Sequence, residues 1–350
     1  MADARIIAKR DVPQWIERMK AGAEVIGPVA QRGGDIAYVP LERPEEMAWR
    51  FWNSLSSPRD YLYPQTDTLL CFGRNGKGYE VRERLDTRQR VLFGIRNCDV
   101  SAIEFMDRIM SAFKADAPYL ARRERTALVA LACHEPNQEF CMCPCAGTGP
   151  FLDERHDVQL TDLGDAVLAE ITTEKGRELI ALGGDLFAAP TEAQRREKAR
   201  LAEEALDKFG PIAYTNYVQG AMRRVSLDAR PAEFWDQLAD WCVECGGCTY
   251  ICPTCNCFNM IDQMVDGRGE RVRCWDSCQY EGMTREASAH NPRAAHRDRV
   301  KRRFYHKLSY QYQQRDGSVG CVCCGRCVAV CCGDLGIPVG SRAIRRGERS

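Results

Sequence analysis

"CVECGGCTYICP", residues 242–253, sets Cys242, Cys245, Cys248 and Cys252 at x2, x2, x3 spacing and ends on Pro253. A triplet of this kind wraps three corners of a cubane iron–sulfur cluster. Each intervening pair lets the backbone turn around the inorganic core and aim N–H groups at its sulfides. The fourth cysteine, ahead of proline, serves the other cluster in two-cluster ferredoxins. "CVCCGRCVAVCC" (321–332) repeats the spacing at Cys321, Cys324, Cys327 and Cys331. Crossing the fourth ligands gives one 4Fe–4S site of Cys242, Cys245, Cys248 and Cys331. The second is then Cys321, Cys324, Cys327 and Cys252. The competing reading is a pair of structural zinc knuckles. Those usually show two C-x2-C units separated by a longer loop, not a triplet followed by x3.

Twenty cysteines in 350 residues are the anomaly of the composition. Six lie in 71–145, eight in 242–278 and six in 321–332, with none in 146–241. The opening "MADARIIAKRDVPQW" has no apolar h-region, so no secretory signal is expected. The cysteines then read as metal or redox ligands and not as disulfides, and the expected location is cytoplasmic. Lys plus Arg equals Asp plus Glu at 49 each. No charge excess calls for nucleic acid or a membrane surface. Apolar runs such as "ALVALAC" are far too short to span a bilayer.

The length suggests two domains. "EVIGPVAQRGGDIAYVP" reads as two strands about a Gly-Gly turn. "VLFGI" (91–95) and "ALVALA" (127–132) are continuous apolar runs, the mark of strands buried on both faces. Between them "DVSAIEFMDRIM" puts Val100, Ile103, Met106 and Ile109/Met110 on one helical stripe, giving a β-α-β unit. Thr191 is placed to cap a charged, solvated helix that stops before Gly210-Pro211. "ARPAEFWDQLADWC" reads as a short helix running into Cys242. The expected fold is an α/β domain over 1–230, followed by a helical, two-cluster ferredoxin-like domain over 231–350. That second part has a long insertion between its cluster motifs and little strand signal.

Cys98 lies just past one buried run and Cys133 ends the other. If those strands are parallel neighbours, both thiols reach the carboxyl edge of the sheet, where α/β folds place ligands. "CMCPC" follows closely enough to return Cys141 and Cys143. The four either hold a third cluster or are buried free cysteines, and spacing alone leaves both open.

"VLFGIRNCD", "ALVALACHEP", "CMCPCAGTGPFLDERHDVQLTDLGD", "CTYICPTCNCFNM", "RCWDSC" and "ASAHNPR…RFYHK" resemble the iron–sulfur β-subunit of cytoplasmic sulfhydrogenases. That family also includes an iron–sulfur subunit of anaerobic sulfite reductase. The likeness runs in order over roughly 85–335. It implies that Cys98, Cys133, Cys141 and Cys143 ligate a third 4Fe–4S cluster. It also implies an electron-transfer role between a flavin-containing, pyridine-nucleotide-oxidising partner and a catalytic redox subunit. Hydrogenase, sulfite reductase and heterodisulfide-type partners remain open. Cys323 and Cys332 stand where the family usually has Gly and Pro, and Cys145 and Cys274 look like additions. Cys255, Cys257 and Cys278 fit the pattern without an assignment.

"RAAHRDRVKRRFYHK" (293–307) reads as a basic helix, either a docking surface or a solvated face. "GRNGKG" (73–78) is not a dinucleotide fingerprint and is rejected as one. "CAGTGP" is a candidate backbone nest, and His134 reads as a neighbour of the third site and not a ligand. No catalytic motif stands out, which fits an electron-transfer subunit. The contrasting class is a non-redox binding protein with structural clusters or zinc.

Overall fold

The computed structural model describes residues 3–54, 56–75, 78–112, 114–215, 218–266, 268–312 and 319–348. Its strands are β1 (Asp3–Ala8), β2 (Glu24–Ala30), β3 (Ile36–Pro40), β4 (Thr66–Asn75), β5 (Gly78–Glu83) and β6 (Arg90–Ile95). β7 (Thr126–Leu131), β8 (Val158–Asp162), β9 (Ala166–Ile171), β10 (Phe187–Ala188), β11 (Phe258–Val265) and β12 (Arg268–Trp275) follow. Residues 76 and 77 of the glycine-rich "GRNGKG" lie outside the described residues.

One sheet has the order β10-β1-β9-β8-β7-β6-β2-β3. Its centre, β2-β6-β7-β8, is parallel, and its flanks are antiparallel. β6 and β7 are buried along their whole length, as the unbroken apolar runs demand. Helix Asn97–Ser111 crosses between them and buries Val100, Ile103, Met106 and Met110. On the other face Trp15 is fully buried between Phe93 and Phe187, with ring centroids 5.4 and 5.0 Å away. Its indole N–H donates to Leu179 O at 2.8 Å. Truncating such a residue to alanine costs about 3–5 kcal/mol. Gly94 breaks the register at the end of β6 with φ 70°, a bulge that turns the chain into the helix carrying Cys98. Thr191 caps helix Glu192–Asp207 in a full capping box, and Ala205 is that helix's one buried residue.

The second sheet corrects the sequence reading. Its order is β11-β12-β4-β5, all antiparallel, so the C-terminal part contributes a long hairpin where little strand was expected. β12 pairs with β4, placing Glu270 opposite Cys71 and Cys274 opposite Thr66. A sheet thus crosses the expected boundary at 230. So does a hydrophobic core that joins Cys141, Met142 and Cys143 to Val218, Phe234, Phe304 and Ile344. The 1–230 and 231–350 parts share both sheet and core, because neither hairpin nor loop can bury its apolar side alone.

Candidate iron–sulfur centre

The two cysteine triplets fold alike. In the first, Glu244 has φ 54° and Gly246 φ 72°; in the second, Cys323 has φ 55° and Gly325 φ 80°. Left-handed residues at the third and fifth positions curl each loop, and each then enters a short helix, Gly247–Tyr250 or Arg326–Ala329. Cys323 therefore occupies a conformation that favours glycine, the residue usual there in the family it resembles. At Gly246 a Cβ would also stand 2.5 Å from Tyr280 Oη.

Each loop opens onto a cavity. Cys242, Cys245, Cys248 and Cys331 line the first. Cys321, Cys324, Cys327 and Cys252 line the second. The chain thus brings together both crossed sets of four thiols. Backbone N–H groups point at several sulfurs: Leu335 N to Cys331 Sγ at 3.1 Å, Ile337 N to Cys327 Sγ and Cys323 N to Cys321 Sγ at 3.4 Å. Four thiols around an open space, with amides aimed at sulfur, fit a cubane cluster. Among the described residues no three His, Cys, Asp or Glu converge as on a single metal ion.

Cys98, Cys133, Cys141 and Cys143 are also gathered, and none is more than 9% exposed. Cys98 opens the helix after β6 and Cys133 follows β7, at neighbouring ends of parallel strands. Cys133 N donates to Pro150 O at 3.3 Å, and Asn97 Nδ2 holds the same carbonyl at 2.7 Å. Burial pushes the Cys98 and Cys143 thiols well above their usual range and Cys141 up to about 12. A bound cation would favour their thiolate forms. His134 stacks on Phe151 with ring centroids 5.6 Å apart, and its buried Nε2 meets no hydrogen-bond partner among the described residues.

The second set adjoins both of the others. Arg303 lines both triplet cavities. Cys324 of the second packs with Cys98 and Ala102 of the third. Asn53 Nδ2 spans that junction, 3.7 Å from Cys98 Sγ and 3.4 Å from Cys324 O.

The other cysteines distribute unevenly. Cys255 hydrogen-bonds Cys252, and Cys257 hydrogen-bonds Cys278, whose thiol is drawn below its usual range by that bond. Cys145 donates to Ala213 O, Cys332 is exposed, and Cys71 and Cys274 stand on the second sheet. The basic run is not simply a docking surface or solvated face. Helix His296–Leu308 buries Arg299, Val300, Arg303, Phe304, Lys307 and Leu308. The i, i+4, i+8 spacing of Arg299, Arg303 and Lys307, beside Val300, Phe304 and Leu308, was the signal for this.

Comparison with known proteins agrees with this geometry. The 4Fe-4S dicluster domain family matches residues 241–335. Over 91% of its length the chain is 27% identical to sulfhydrogenase 2 subunit beta of Pyrococcus furiosus, and 91% of that protein is covered. Residues 241–335 thus carry the pattern of a 4Fe-4S dicluster domain, in agreement with the two cysteine runs. The chain is a homologue of a sulfhydrogenase β subunit, as its sequence motifs imply. No helix among the described residues is long and apolar enough to cross a membrane.

Proposed function

We propose that this protein is a cytoplasmic electron-relay subunit with three 4Fe–4S clusters. Cys242, Cys245, Cys248 and Cys331 hold the first; Cys321, Cys324, Cys327 and Cys252 hold the second. Cys98, Cys133, Cys141 and Cys143 hold the third. Such clusters supply reversible one-electron transfer at iron held by thiolates. The protein's part is to hold the thiolates, exclude water and set the local charge. One observation carries the reading: each triplet cavity is lined by the fourth cysteine of the other run. Adjoining sites suit a relay between a flavin-containing, pyridine-nucleotide-oxidising partner and a catalytic subunit of hydrogenase or sulfite reductase type.

Anaerobic purification should yield about twelve irons and twelve acid-labile sulfides per chain. A dithionite titration should bleach the visible spectrum reversibly. Stoichiometric zinc with little iron would overturn the assignment. Clusters that resist reduction would favour a structural role.

A further inference from the structure

Most buried cations of this protein have an obvious counter-charge. Arg59, Arg90, Arg122, Arg273, Arg299 and Arg326 each lie within salt-bridge distance of a carboxylate. Arg96 gives its N–H groups to the carbonyls of Leu131, Ala132 and Phe51. Arg303 and Lys307 differ. They are 7% and 4% exposed and sit one turn apart on helix His296–Leu308. Neither has a carboxylate partner among the described residues. Lys307 Nζ reaches a hydroxyl, Thr254 Oγ1 at 2.7 Å, and the thiol of Cys255.

An unpaired buried charge is strongly unfavourable even after relaxation. A fold that keeps two of them needs an anion at that place. What faces Arg303 is thiols: Cys248 and Cys327, then Cys255 and Cys252. Arg303 lines both triplet cavities, whereas Lys307 lines only the one formed by Cys321, Cys324, Cys327 and Cys252.

We infer that Arg303 is the shared counter-cation of the two triplet sites, with Lys307 a second counter-cation of the Cys321–Cys324–Cys327–Cys252 site. This rests on the reading of both as anionic cluster sites. A fixed positive charge beside a redox centre stabilises the more negative, reduced state. Arg303 therefore raises the reduction potential of both clusters, and Lys307 adds a further rise on one side only. Because one guanidinium serves both cavities, loss of its charge should lower both potentials together.

The experiment is an EPR-monitored redox titration of the anaerobic full-length protein, with iron counted first. Wild type, Arg303→Met, Arg303→Lys and Lys307→Met are compared. Absence of iron from the wild type would sink the cluster reading itself. With iron present, Arg303→Met should shift two signals to lower potential and leave the third unmoved. Arg303→Lys should largely restore them, and Lys307→Met should shift one signal more than the other. Unchanged potentials in fully loaded Arg303→Met and Lys307→Met would overturn the inference. If Arg303→Met fails to load, Arg303→Lys decides. Full loading near wild-type potentials supports a charge role; loss of iron despite the retained charge shows a packing role and overturns it.

Discussion

Asp99 and Arg326 form a bidentate ion pair, with Nη1–Oδ1 2.8 Å and Nη2–Oδ2 2.9 Å, and neither side chain has any solvent exposure. Asp99 sits in the first turn of the helix that carries Cys98, and Arg326 lies between Cys324 and Cys327. The pair therefore pins the third thiol set to the second. Arg326 is further held by Ser54 O at 2.7 Å and by Asn53 Oδ1.

Removing one partner leaves a bare buried charge. Asp99→Ala is expected to cost about 3–5 kcal/mol of stability in an anaerobic denaturant titration. The double variant Asp99→Leu/Arg326→Met should lose less than the sum of the single changes, because it leaves no orphaned charge. Additive losses would show that the two residues act separately.

Cys98→Ser in the full-length protein should remove one cluster's EPR signal and about four irons, because a hydroxyl is a poor replacement for a thiolate at iron. The two triplet signals should persist. Cys71→Ser, on the half-buried face of β4, should leave the iron count unchanged.

Gly246→Ala introduces a Cβ at a left-handed residue and against the Tyr280 hydroxyl. The backbone penalty alone is about 1–2 kcal/mol. The outcome expected is a weakened first site, read as selective iron loss on mild chelation. Gly282→Ala is the control, since a Cβ there meets nothing within 4 Å.

His306 is half-buried on helix His296–Leu308, its ring 4.7 Å from that of Tyr312. Burial first, then the positive charges of Lys307 and Arg302, lower its pKa from 6.5 to about 4. The unfolded chain binds the proton more readily than the folded one. This group's contribution is therefore complete above pH 6.5 and is lost as pH falls toward 4. Discounted for partial exposure, the loss is about 1–2 kcal/mol. His306→Gln should flatten that part of the stability–pH profile, measured by thermal melts in matched buffers.

Much of this architecture was legible in the sequence. Buried parallel strands announce themselves as unbroken apolar runs, and a thiolate triplet has few other uses. The hairpin of β11 and β12 was not legible, because its residues violate the usual alternation. Asp262 and Arg271 pair across its exposed face, bonding at 2.6–2.7 Å. Phe258, Met260, Ile261 and Met264 are exposed apolar residues of the same strand. The Asp266–Gly267 dipeptide in the sequence was the available clue. Arg303 and Lys307 were hidden for a different reason. Basic residues on a helix are normally solvated, and only the thiols packed against them, remote in sequence, reverse that expectation.

The interleaving of the two cysteine runs also orders events during synthesis. Cys331 leaves the ribosome 83 residues after Cys248 (331 − 248), yet both line one cavity. At about 5–20 residues per second, the first triplet waits on the order of ten seconds for its fourth thiol. β12, which completes the sheet begun by β4, also arrives late. That four-thiol pocket is accordingly complete only after the second cysteine run has been made. The nascent thiols must meanwhile be kept from oxygen and from stray metal ions.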